Sequence, residues 1–352
     1  MANGTASVPR LQQPPKDGGS YVIPQLEGEM ITIPGSKGVF RVLASSLQTG
    51  GAMSVFTSGG VLADAPGFHH HNEAHDIFIV TKGYMKIWNG DRCKILGPGD
   101  FTSVPPGVIH NPHTLGPHSE SFGVITPGDW LDFFRYIGES YDGIVVPESD
   151  SRNILEHLIP KVKAAAGKYD VVFHPEHKGC AVSEWTTEDE VIPDTTKSYY
   201  LRANTGPRWI LGGVISRPFI TTKQCDGKFA ISSIESSSVH KASCPFQRKL
   251  TFPRTHHCFA VQEGVLDVVV GDASSCRVAE GEAIFVPAGI PFQLNFSSKF
   301  VRVWTFTTGD GIESLIHHAG IPFGSYVLPD KPKPWEERQL LEACQKFSVQ
   351  VS

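Results

Sequence analysis

His69-His70-His71-Asn72-Glu73-Ala74-His75-Asp76, followed by Gly97-Pro98-Gly99-Asp100-Phe101-Thr102-Ser103-Val104-Pro105-Pro106-Gly107-Val108-Ile109-His110, decides the reading of this chain. Alternate side chains of a strand share a face, so His69 and His71 project together. The polar run 72–75 can turn the chain and return Asp76 on a next strand, which the sequence predicts to end at Gly83. The second segment predicts a tight turn, a short apolar strand and a Pro/Gly corner that aims His110 back at the same point. Three imidazoles and one carboxylate placed in this way are candidate ligands for one transition-metal ion rather than for calcium or magnesium. Glu73 and His75 are rival donors, Glu73 because a strand running straight on would put it on the face of His69 and His71. His70 has the opposite parity and His113 lies beyond the corner, so both are expected around the site or on the surface.

The 352 residues, 40% apolar and 19% charged, suffice for two cores and are long for one. A net charge of -5 without Lys/Arg clusters argues against nucleic acid or an anionic membrane as partner. With 35 glycines and 26 prolines, many short strands joined by tight turns are expected, and hence a mostly β fold. No apolar run is long enough to span a membrane, and the N-terminal stretch MANGTASVPRLQQPPKDGGS has no hydrophobic secretory core, so a cytoplasmic enzyme is expected. The seven cysteines are scattered without a CxxC pair and read as free thiols.

An internal repeat supports two barrels. Gly83 to Asp91, Gly99-Asp100 and Val104-Pro-Pro-Gly107 are echoed by Gly264 to Asp272, Gly281-Glu282 and Val286-Pro-Ala-Gly289. Each copy reads as strand, turn, strand, turn, strand. In the second copy Leu250, Phe252, His257 and Phe292 stand where His69, His71, Asp76 and His110 stand in the first, so the ligand set is not duplicated. The domains expected are a barrel over 1–145 with the metal site, a linker over 146–205 with a helical segment, a barrel over 206–330 without metal ligands, and a helix and tail over 331–352. Helices are predicted in the Ile154 to Ile159 region, after Pro334, and over Asp129 to Ile137. In the last of these, Trp130, Phe133 and Phe134 present an aromatic face, either a lid on the cavity or ordinary core.

The two histidine segments, with the spacing HxHx4D and the run Lys82 to Trp88, resemble the two sequence motifs of the cupin superfamily. Asp76 stands where that pattern usually has glutamate. Within cupins the layout and length most resemble the fungal quercetin 2,3-dioxygenase group of bicupins, in which the second barrel also lacks the metal site. The resemblance implies an all-β fold of two double-stranded β-helix (jelly-roll) barrels with a few short flanking helices. It further implies a dioxygenase that oxidises or cleaves a flavonol-like or polyketide-derived phenol or enol with O2.

In that reading His69, His71 and His110 hold one divalent transition metal in the N-terminal barrel. Asp76 ligates it or takes the substrate proton as general base. Iron or copper suits O2 chemistry, while manganese, nickel, cobalt and zinc accept the same donors. Parity suggests Met53, Phe78, Val80, Phe101, Phe122, Ile125, Trp130 and Phe134 as walls of the substrate pocket. The expected partners are an aromatic small molecule and O2, with homodimer formation left open by exposed barrel edges. Aspartate, one methylene shorter than glutamate, keeps a non-oxidative isomerase, cyclase or lyase in play, and a third reading, by analogy with pocketed but inactive relatives, is a bicupin that binds a small molecule without turnover.

Overall fold

The computed structural model describes residues 7–62 and 66–352. The first six residues, part of the stretch read above for a secretory core, lie outside it. The chain divides into two compact units, one of residues 26–205 and one that joins the residues up to 25 with 206–352. Both are double-stranded β-helix barrels of antiparallel strands.

In the first barrel the sheet runs Glu139–Ser140, Glu29–Thr32, Gly38–Ala44, Ser54–Gly60, His110–Thr126, His75–Asn89, Phe101–Val104 and Tyr199–Leu201. The short strand His69–His70 pairs with His110–Thr126 on one side and with Val172–Phe173 on the other. The long strand does not end at Gly83 as the sequence suggested. It runs from His75 to Asn89, with the register slipping on both sides of Lys82. Gly83 has φ +65°, and a Cβ there would come within 2.2 Å of the His118 carbonyl, so glycine lets the strand bulge and continue.

In the second barrel one sheet runs Tyr21–Ile23, Ala283–Val286, His257–Glu263, Val301–Thr307, Ala230–Ser236, Val214–Ile220, Trp209–Leu211 and Ile321–Pro322. The other runs Cys276–Ala279, Val265–Val270, Phe292–Phe296, Leu250–Thr251 and Gln350–Val351. Two expected boundaries shift. Tyr21–Ile23, assigned from sequence to the first barrel, pairs with Ala283–Val286, where the Tyr21 ring stacks on Phe285 at 5.3 Å. Residues 331–352 are part of the second barrel: Leu340, Ala343 and Cys344 of helix Glu337–Lys346 enter its core, and Gln350–Val351 adds a strand.

The repeat seen in the sequence is reproduced in register. Leu250 pairs with Phe292 as His69 pairs with His110, and His257 pairs with Val286 as Asp76 pairs with Val104. The Pro-x-Gly corners are tied in the same way, Gly107 N–H to the His71 carbonyl at 2.6 Å and Gly289 N–H to the Phe252 carbonyl at 2.8 Å. Where the first barrel gathers imidazoles, the second stacks Phe252 on Phe292 at 5.7 Å and sets both against His257, at 4.5 and 5.0 Å. His257 Nε2 is occupied by the Ile312 N–H at 3.3 Å.

The helical predictions resolve into Ile154–His157 with Ile159–Ala165, Asp132–Ile137 after a 3-10 turn at Gly128–Leu131, and Glu337–Lys346. Helix Ile312–Ala319 was not foreseen. Within it Glu313 is buried, and its Oε1 accepts the Gly311 N–H at 2.7 Å while Oε2 has no hydrogen-bond partner among the described residues. Burial pushes the carboxyl up to about 7. The folded form thus holds a proton that the unfolded chain releases near the ordinary carboxylate value, so stability falls as pH rises through the window from that value to about 7. The expected loss is ~3 kcal/mol. Urea unfolding from pH 4.5 to 8 should show this slope in the wild type and a flatter profile in Glu313→Gln; equal slopes would exclude Glu313 as its source.

Candidate metal centre

Each donor reaches the site from a different piece of local structure. His69 opens the strand His69–His70, His71 follows it, Asp76 is the second residue of His75–Asn89, and His110 starts His110–Thr126. The corner at Pro105 to Gly107 aims His110, with Gly107 at φ +81° donating to the carbonyl of His71. Among the described residues, one ligand atom from each of His69, His71, Asp76 and His110 lies within 4.8 Å of all the others.

The three imidazoles are oriented alike. Nδ1 of His69 donates to the Gly67 carbonyl at 2.8 Å, Nδ1 of His71 to the Asp170 carbonyl at 2.6 Å, and Nδ1 of His110 to the Val108 carbonyl at 3.0 Å. A backbone carbonyl at Nδ1 fixes the tautomer that leaves Nε2 as a lone-pair donor. Nε2 of His71 and of His110 each lie 3.2 Å from Asp76 Oδ2. Asp76 therefore reaches the other donors despite its shorter side chain. Among the described residues, His71 Nε2 and Asp76 Oδ1 are buried without a hydrogen-bond partner. Orphaned lone pairs beside a buried carboxylate are what a bound cation satisfies, so the donor set fits a divalent transition metal.

The electrostatics follow from this crowding. Burial, and then His110 and His71, push the His69 pKa well below the usual imidazole value. Burial also works against charge on His71, but the adjacent Asp76 carboxylate outweighs it and raises the His71 pKa. Asp76 is buried, which favours its neutral form, yet His71 and His110 together hold it well below the usual carboxylate range.

The rival donors sit elsewhere. Glu73 is exposed in the turn 72–74 and is not in the cluster. His75 has the opposite parity to Asp76 and bonds Ser103 Oγ at 2.7 Å. His70 pairs with His174 at 2.7 Å.

Register divides the eight wall residues. Phe78 and Val80 alternate with Asp76 onto its face, and Ile125 stands directly across from Asp76. Phe101 and Phe122 pair with Ile79, so they project to the opposite face and do not line the site. Met53 precedes Ser54, the partner of Ile125, and parity turns it away as well. Trp130 meets the His71 ring at 4.7 Å, and Phe134 stacks on Phe40 at 4.1 Å. Both belong to one hydrophobic cluster with Phe56, Ile125 and Phe133, so the aromatic face is core that also touches a ligand.

Sequence reading missed Phe56, whose ring fills the space a Cβ on Gly123 would enter, at 2.3 Å. Gly123 pairs with Phe78 on the site's face. It also missed Asp170 and Phe173, the latter 5.7 Å from the His69 ring. Neither carries a local signal, since both come from the irregular segment after the first barrel's main strands.

Comparison with known proteins agrees with this geometry. The family model described as "Cupin domain" matches residues 62–120, which contain all four donors. A quercetin 2,3-dioxygenase of Aspergillus japonicus is 26% identical over 317 residues, 83% of this chain and 90% of that protein. One of Bacillus subtilis is 22% identical over 337 residues, 96% of each. Among solved structures, an oxalate decarboxylase of B. subtilis superposes with a TM-score of 0.50 at 14% identity, covering 85% of this chain and 79% of that one, a likeness of fold. The chain thus carries a match to the cupin domain over residues 62–120, is similar along most of its length to two quercetin 2,3-dioxygenases, and shares its fold with the oxalate decarboxylase.

Proposed function

We propose that this protein is a metal-dependent dioxygenase acting on a flavonol-like or polyketide-derived phenol or enol with O2. The observation that carries the reading is the convergence of three Nε2 atoms, each oriented by a backbone carbonyl at Nδ1, on one buried carboxylate. His69, His71, His110 and Asp76 would hold one divalent ion. When bound, such an ion supplies Lewis acidity toward a phenolic or enolic oxygen and the one-electron chemistry that O2 requires. Iron or copper serves this best, and manganese, nickel, cobalt or zinc can occupy the same donors.

The protein's own contributions are positional and acid-base. Asp76 would either ligate the ion or, detached from it, take the substrate hydroxyl proton as general base. Phe78, Ile125 and Trp130 give the site apolar walls that suit a flat aromatic ring and keep water out. The relatives named as quercetin 2,3-dioxygenases support the choice of substrate class.

The test is O2 consumption by metal-reconstituted protein with quercetin and simpler phenols, paired with anaerobic incubation. Substrate-dependent O2 uptake is the expected result. Rearrangement of substrate without O2 would replace the dioxygenase with a non-oxidative isomerase, cyclase or lyase, and binding without turnover would leave a small-molecule-binding bicupin. In the described residues no helix is long and apolar enough to cross a membrane.

A further inference from the structure

The segment Tyr169-Asp170-Val171-Val172-Phe173 returns to the strand His69–His70 from far along the sequence and bonds it and the turn that follows. Val172–Phe173 pairs antiparallel with His69–His70, with Phe173 opposite His69. The next residue, His174, donates its N–H to the Phe68 carbonyl at 2.8 Å. Ahead of the strand, Tyr169 packs on Phe133 at 5.7 Å and on Tyr136 at 5.5 Å, which anchors the segment at its other end.

Asp170 lies between these anchors and uses both of its acceptor groups on the site. Its carboxylate accepts three successive backbone N–H groups, from Asn72 at 2.7 Å, Glu73 at 2.8 Å and Ala74 at 3.0 Å, with the Asn72 side-chain amide at 3.1 Å. These three residues are the whole turn between His71 and the strand that carries Asp76. Its main-chain carbonyl accepts His71 Nδ1–H at 2.6 Å and Trp130 Nε1–H at 2.8 Å. One residue thus closes the turn linking two of the four donors, orients the ring of one of them, and holds the indole that packs against that ring at 4.7 Å.

We infer that Asp170 is the positioning residue of the metal centre, fixing the His71–Asp76 turn and the His71 ring so that the four donors are preorganised. The inference rests on the metal-site reading above. A carboxylate that caps three amides of a turn removes the turn's freedom before the ion arrives, and an outer hydrogen-bond partner fixes the angle at which a histidine presents Nε2. The side chain governs the turn, and the turn governs where the Asp170 carbonyl meets His71.

The experiment compares wild type, Asp170→Ala and Asp170→Asn by two readouts: the dissociation constant for Co2+ or Cu2+ from chelator competition, and amide hydrogen exchange of residues 72–74 in metal-free protein. Alanine keeps the main-chain carbonyl that His71 bonds but frees the turn, so it should deprotect the three amides and weaken metal binding by up to the about 10- to 100-fold that loss of a ligand's hydrogen-bond partner costs. Asparagine keeps one acceptor oxygen and should fall between alanine and wild type. It also serves as the folded comparison if the alanine variant is unstable. The ligand-field spectrum of bound Co2+ should change in both variants, which a loss of global stability alone does not produce. Unchanged affinity and spectrum in a variant whose 72–74 amides are deprotected would overturn the inference while leaving the metal site standing. A wild type that binds neither ion would overturn the metal-site reading and this inference together.

Discussion

His69→Ala/His71→Ala protein should purify with no tightly bound metal, where the wild type after reconstitution should hold about one ion per chain. Two of four donors are lost, and the other two, Asp76 and His110, would remain, with Nε2 of His110 3.2 Å from Asp76 Oδ2. Affinity should fall by far more than the ~100-fold that removal of a single outer hydrogen-bond partner costs. The stabilisation of the fold by added metal should vanish with it, because a ligand stabilises only the state that binds it. Elemental analysis and thermal unfolding with and without metal measure both effects. The variant should still fold, since the first barrel's cluster of Ile31, Val42, Phe56, Ile125 and Leu131 does not include either histidine. Equal metal content in the two proteins would place the site elsewhere.

Asp76→Asn should separate charge from shape. The amide keeps the volume of the carboxylate and loses its charge and its capacity to take up a proton. The site would then hold an ion with neutral donors only, and turnover should drop by about 100- to 10,000-fold, the range typical of a lost general base. Asp76→Glu retains the carboxylate, restores the residue usual at this place in the cupin pattern, and should keep its metal. There is also an acid-side consequence. Because His71 and His110 hold the folded pKa of Asp76 below its unfolded value, its contribution to stability is present above the ordinary carboxylate range. That contribution is lost as pH falls through the depressed value, and Asp76→Asn should show a weaker loss. Steady-state kinetics with a fixed phenol and acid unfolding of both proteins check the two parts; unchanged turnover in the amide variant would remove Asp76 from the chemistry.

The convergence of the four candidate donors was readable because each sits at a position that local rules specify. Strand parity sets His69 and His71 together, a short polar turn returns Asp76, and a Pro/Gly corner with a positive φ at Gly107 swings His110 inward. The repeat was readable for the same reason. Gly83, Gly90, Gly99 and Gly107 have counterparts in Gly264, Gly271, Gly281 and Gly289, and all eight adopt positive φ. What escaped depends on pairing between distant strands. Phe101 and Phe122 look like wall residues by hydropathy, but only the register with Ile79 shows that they point away from Asp76. Asp170 has no motif at all, because its role arises from a strand pairing with the ligand strand that the sequence around it does not announce. Tyr21–Ile23 shows the same limit at the scale of domains: a short apolar strand completes whichever sheet offers it an edge, here that of Ala283–Val286.

The central claim is that His69, His71, Asp76 and His110 hold one metal ion together, and X-ray absorption with an anomalous-scattering map of the metal-loaded protein tests it directly. A single ion is expected in the first barrel, bound by three imidazole nitrogens and an Asp76 oxygen at about 2.0–2.2 Å. An ion held by other residues, or none after loading, would contradict it.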